Sequence, residues 1–188
     1  MSASAALGGG FTEPPRQAAV AFRALLNAMA RPGRIETVSG AVPPEPLSVA
    51  AGVALLVLCD PDTPLALLGA ADCPEVREWV GFHTGAPLAR AEECRFAAGQ
   101  WDATGPLDRF PQGTPEYPDR SATLILEVPR LAPEGARLSG PGIQDTATLS
   151  LPDTGPFQQN ARLFPLGLDF VLTSGTRLAA LPRTTQVE

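Results

Sequence analysis

The sequence contains no lysine: all fourteen basic residues are arginine. A pyridoxal phosphate aldimine, a P-loop lysine and a lysine general base are therefore excluded, because each needs an amine side chain that this chain does not have. Histidine and cysteine are nearly as scarce, at one and three residues (His83; Cys59, Cys73 and Cys94). Zinc sites take three or four Cys or His ligands at short spacing, and these thiols stand too far apart for that, so reduced cysteines and no metal are expected. Basic stripes are also missing. The net charge is −6 and the arginines are scattered, which argues against nucleic acid as a partner. Long apolar runs are absent too: the most apolar window, Val49 to Leu58, falls well short of the roughly 20 residues of a membrane span. Residues 1–10 have neither the basic start nor the apolar core of a signal peptide. A soluble, cytoplasmic chain with no membrane contact is the expectation.

What is abundant is punctuation. There are 21 prolines and 18 glycines in 188 residues, which implies short elements joined by many turns. The length suits one domain, expected over residues 11–188 behind a disordered stretch at 1–10. Thr12 is placed to cap a first helix, with Pro14 and Pro15 in its first turn. Val20, Phe22, Leu25, Leu26 and Met29 recur near helical spacing, with Arg16, Arg23 and Asn27 largely opposite. Core packing is the expected use of that apolar face, and partner binding is the alternative. Pro32 and Gly33 end the helix. A short strand is expected at 34–38, a buried helix at about 47–59, a strand at 65–68, a helix at 73–84 and a strand at 94–98. Residues 99–120 form a polar, turn-rich excursion carrying Trp101, Phe110 and Tyr117. "SATLILEV" at 121–128 is the clearest central strand. A short helix begins near Pro156, and 168–173 with 177–181 form a hairpin closed by "SGT". The fold class is α/β, a mixed sheet flanked by helices.

Two segments hold candidate chemistry. In "LPRTT", Arg183 with Thr184 and Thr185 suits a phosphate or carboxylate, since a guanidinium binds such groups through two parallel bonds and the hydroxyls add donors; an arginine paired with a local acid beside turn-capping threonines is the alternative. In "FHTGAP", His83 beside Thr84 offers a base or an anion contact, against a residue at the edge of the core. Asp60 and Asp62 of "DPDTP" either hold Mg²⁺ or end a helix. "SGPGI" at 139–143 lacks the spacing of a dinucleotide fingerprint and reads as a turn. No nucleophile–His–acid motif is present, although Ser139 and Cys94 are available.

Four blocks in order, "FRALLNAMARPG", "FHTGAPL", "LSGPGI" and "FPLGLDFVLT" followed by "LPRTT", closely resemble the PhnH subunit family of the bacterial carbon–phosphorus (C–P) lyase system. The resemblance runs from about Phe11 to Glu188 and is poor over 99–120. It implies a role in phosphonate catabolism, in the step where several subunits join methylphosphonate to ATP at the ribose C1 and release adenine. It further implies a fold similar to that of pyridoxal-phosphate-dependent transferases without the cofactor, a homodimer when alone, and the other C–P lyase subunits as partners. ATP would be a substrate of the complex, and no cofactor would be bound by this chain. The family supplies no catalytic residue for this subunit. The "LPRTT" block is then either an anion seat or a contact for a neighbouring subunit.

Overall fold

The computed structural model describes residues 8–188; most of the stretch expected to be disordered lies outside them. Its elements are α1 (Pro14–Ala30), β1 (Glu36–Thr37), α2 (Val49–Leu58), β2 (Leu65–Leu68), α3 (Pro74–Thr84), β3 (Phe96–Gln100), β4 (Thr123–Glu127), β5 (Ala136–Ser139), β6 (Ala147–Leu149), α4 (Gly155–Ala161), β7 (Asp169–Ser174), β8 (Arg177–Leu181) and β9 (Gln186–Val187). Six strands form a mixed sheet in the order β1-β8-β7-β4-β3-β2. β2, β3, β4 and β7 run parallel, while β8 and β1 close one side antiparallel.

Strand periodicity divides the apolar residues between two cores. Ile125, Val171, Leu178 and Ala180 face α1, α2 and α3. Leu124, Leu126, Phe170, Leu172 and Leu181 face the other way. That second face is covered by α4, by the 99–120 excursion and by a three-stranded antiparallel sheet of order β6-β5-β9. The expected mixed sheet is present, but helices alone cover only one of its faces. The small sheet was not foreseen, because strands of two to four residues leave little periodicity to read.

α2 follows its sequence closely. The Ser48 side chain accepts a hydrogen bond from the Ala51 N–H at 3.2 Å, and Ala50 to Leu55 are all buried. α1 departs from expectation in two ways. Thr12 does not cap it; Gln17 reaches back instead, its Oε1 accepting from the Glu13 N–H at 2.7 Å. Its buried face is Ala21, Leu25 and Ala28, whereas Phe22 and Leu26 are half exposed. Alanines let a helix sit close to its neighbours, and here α1 lies against β8 and α2; Phe22 and Leu26 are left outside. The excursion is a chain of three short 3₁₀ turns, at Trp101–Ala103, Leu107–Arg109 and Pro118–Arg120. Phe110 inserts into the second core, and Trp101 stacks on Phe157 with ring centroids 4.9 Å apart.

Candidate functional site: an arginine node, converging turns and a cleft

Pro182 has no N–H to continue the β8 ladder, and a turn closes behind it when the Thr185 N–H donates to the Pro182 carbonyl at 2.9 Å. The β7–β8 register pairs Phe170 with Leu181, so Asp169, at the start of β7, stands beside that turn. Asp169 Oδ1 accepts from the Arg183 backbone N–H at 2.8 Å and from Nε at 3.2 Å, and its Oδ2 accepts from Nη2 at 2.5 Å. Arg183 Nη1 donates to the Pro118 carbonyl at 2.5 Å. The two side chains are only 14% and 17% exposed. The fork that could grip an external anion is thus filled by a carboxylate of the chain itself. Of the two readings of Arg183, the geometry favours pairing with a local acid. Thr185 is buried, and its Oγ1 has no hydrogen-bond partner among the described residues.

Three of the quoted sequence blocks meet beside this node. Gly142 has φ +83°, and a Cβ there would lie 2.1 Å from the Ala30 carbonyl at the end of α1. Gly140, at φ +122°, would bring a Cβ within 2.9 Å of the Thr184 carbonyl. Both positions need glycine for backbone shape and for room. β5 carries the "LSGPGI" turn onto β9, with Ser139 opposite Gln186. Backbone contact thus explains why these blocks are glycine-bearing; it supplies no catalytic group.

The fourth block is elsewhere. His83 ends the apolar face of α3, and its Nε2 lies 2.9 Å from the Gly8 carbonyl, which also accepts from the Trp79 indole N–H at 3.1 Å. Trp79 and Phe82 flank the ring. The Thr84 hydroxyl donates to the Val80 carbonyl and accepts from the Ala86 N–H, at 2.8 and 3.1 Å, before Gly85 ends the helix in the left-handed conformation. Among the described residues His83 and Arg183 have no hydrogen-bond partner in common. Asp60 and Asp62 close a turn: Asp60 Oδ1 accepts from the Asp62 N–H at 2.9 Å. Among the described residues no three His, Cys, Asp or Glu side chains form a group able to hold a metal.

Features that the sequence reading passed over include Glu127, at the carboxyl end of β4, which accepts from the Ser48 N–H at the start of α2. Burial raises its carboxyl above the usual carboxylate range, against the lowering pull of the bond from Ser48. Burial also pushes the Cys59 thiol to about 12 and the Cys94 thiol to about 11, which leaves both as inert thiols. A cleft of about 510 Å³ opens between the excursion and α4, lined by Pro106, Leu107, Gln112, Pro156 and Leu163 among others.

The fold and site together define a mixed α/β protein in which the quoted motif residues serve packing and turn geometry. The chain belongs to the family described as bacterial phosphonate metabolism protein (PhnH), which matches residues 9–188. It is 41% identical, over 191 residues, to the alpha-D-ribose 1-methylphosphonate 5-triphosphate synthase subunit PhnH of Rhizobium meliloti (strain 1021), covering 96% of this chain and 94% of that protein. It is 33% identical, over 191 residues, to a protein of Stutzerimonas stutzeri named as a C-P lyase subunit, HtxG, covering 93% of this chain and 87% of that one.

Proposed function

We propose that this chain is the PhnH-type subunit of a ribose 1-methylphosphonate 5-triphosphate synthase, needed to couple an alkylphosphonate to ATP but inactive by itself. The observation that carries this reading is the near full-length match to a relative bearing that name. The geometry supports the inactive part: the one imidazole and the "LPRTT" guanidinium are each engaged inside the chain, by separate sets of residues. A self-sufficient transferase using His83 and Arg183, and a stand-alone binder of phosphate or phosphonate, gain nothing from this arrangement.

The same reading includes a cytoplasmic location, no cofactor on this chain, ATP as a substrate of the assembled complex, and one domain over residues 11–188. Among the described residues no helix is long and apolar enough to cross a membrane. It also includes kinship with the pyridoxal-phosphate transferase fold, with which the parallel strands are compatible; with no lysine in the sequence, this chain would form no aldimine. Self-association of the isolated chain completes it, with Phe22 and Leu26 of α1 as available apolar surface. The test is turnover of ATP plus methylphosphonate. No product is expected from the isolated chain or from the remaining synthase subunits without it, and product is expected when all are combined. Turnover by the chain alone would reject the reading.

A further inference from the structure

The cleft beside α4 has features that the internal bonding of the fold does not use. Its floor and walls include Pro106, Leu107, Pro156 and Leu163. It runs on into a recess of about 220 Å³ that shares Gly105, Leu107 and Pro156 with it and adds Trp101 and Asp153. Leu163 remains 47% exposed and Phe164, next in the chain, 59% exposed. Leu163 therefore stands partly in water on the lining of an apolar cleft, with the exposed Phe164 next to it in the chain, a combination typical of interaction surfaces. Gln112 also lines the cleft. Its Nε2 donates to the Leu107 and Phe110 carbonyls, while its Oε1 is out of contact with water and has no donor among the described residues.

Charge chooses among occupants. Asp102, Asp108 and Asp153 line the cleft or its recess, and none of them forms an ion pair among the described residues. The cations nearby are Arg109, drawn toward Glu92 at 3.8 Å, and Arg162, adjacent in sequence to Leu163. An acidic rim on a chain of net charge −6 repels a triphosphate and repels a second copy of the same chain. It favours a peptide segment that carries basic and apolar side chains together.

We infer that this cleft, with Leu163 on its lining and the exposed Phe164 next in the chain, is a docking surface for a basic and apolar segment of another synthase subunit. The inference rests on the proposed membership of a multi-subunit synthase. The apolar side chains fill the cleft, and the cations meet the aspartate rim. The outer face of α1 is also apolar, but no charge pattern there selects an occupant.

The experiment co-expresses the chain with the remaining synthase subunits and measures co-elution, then binding of the purified partners at low and high salt. Leu163→Asp is expected to weaken binding at least tenfold, and Phe164→Ala several-fold. Asp102→Asn combined with Asp108→Asn and Asp153→Asn should weaken binding at low salt and flatten its salt dependence. Val42→Asp, at a position 75% exposed that lines neither the cleft nor its recess, serves as the control and should leave partner binding unchanged. All of these positions are at the surface, and an unchanged melting temperature excludes unfolding as the cause. If the wild-type chain does not co-elute with the other subunits, the multi-subunit reading itself fails. If it co-elutes and the cleft variants do so equally well, only the cleft assignment is overturned. If the cleft variants instead change the mass of the isolated chain in solution, the occupant is a second copy and the inference is also overturned.

Discussion

Deleting the Arg183 side chain separates the two readings of the "LPRTT" block. The family resemblance points to an anion seat or a subunit contact, in which case Arg183→Ala would weaken ligand binding or assembly more than folding. The geometry reverses that expectation. The substitution removes two bonds to the Asp169 carboxylate and one to the Pro118 carbonyl, and leaves Asp169 with only the backbone N–H of residue 183. Deleting one partner of a buried pair costs roughly 3–5 kcal/mol. This pair keeps some contact with water, at 14% and 17% exposure, and the surviving N–H still solvates the carboxylate, so a loss of about 2–3 kcal/mol is expected. For a chain of this size that lowers Tm by about 4–12 °C. Urea unfolding followed by far-ultraviolet circular dichroism measures it, in a cycle of Arg183→Ala, Asp169→Ala and the double variant. A coupling of about 1–2 kcal/mol is expected, since residues in direct contact are not additive. A coupling below about 0.5 kcal/mol, together with intact stability and lost assembly, would refute the structural assignment.

Thr185→Val, which removes a buried hydroxyl that has no partner, should leave Tm unchanged or raise it; a fall of several degrees would mean that the hydroxyl is bonded inside the fold. Native protein should show one readily alkylated thiol, the half-buried Cys73, because burial holds Cys59 and Cys94 protonated at neutral pH; rapid labelling of all three without denaturant would contradict this. Glu127 binds its proton more tightly folded than unfolded, so the stability it adds is present in acid and is lost as pH rises through its folded value. The Tm of the wild type relative to Glu127→Gln should accordingly fall from acid to neutral pH, and a difference that is flat or rises with pH would contradict the burial of that carboxyl.

Legibility in the sequence tracked local information. α2, α3, β2 and the β7–β8 hairpin were readable because each carries its own cap, period or turn: Ser48 before α2, Gly85 after α3, Gly175 at φ +60° in the hairpin. The inward face of α1 was only partly legible: Leu25 and Met29 point to the core as their spacing indicates, but large apolar residues outrank alanine in any periodicity argument, while close packing against β8 and α2 chose Ala21 and Ala28 over Phe22 and Leu26. The small sheet escaped notice because two of its strands, β5 and β9, lie far apart in the chain and are brief. The candidate site was half legible. The "LPRTT" block announced an occupied guanidinium, but not that Asp169 and Pro118 occupy it, since tertiary pairing leaves no trace at either position alone. Gln112 and the aspartates of the cleft gave no signal, as each is an ordinary loop residue until the excursion is folded onto α4.

The Arg183 node also bears on how distant parts of the chain are fastened together. Among the described residues β1 has β8 as its strand partner, and the excursion receives one of its ties from Arg183 through Pro118. Both attachments are made by one short segment, β8 and the turn behind it, far along the chain from what it holds. Contacts of such long sequence separation carry the larger loop-closure cost, whereas α2 and the parallel β2–β3–β4 strands are joined through shorter connections. Disturbing this one segment would therefore loosen the outer strand and the excursion together.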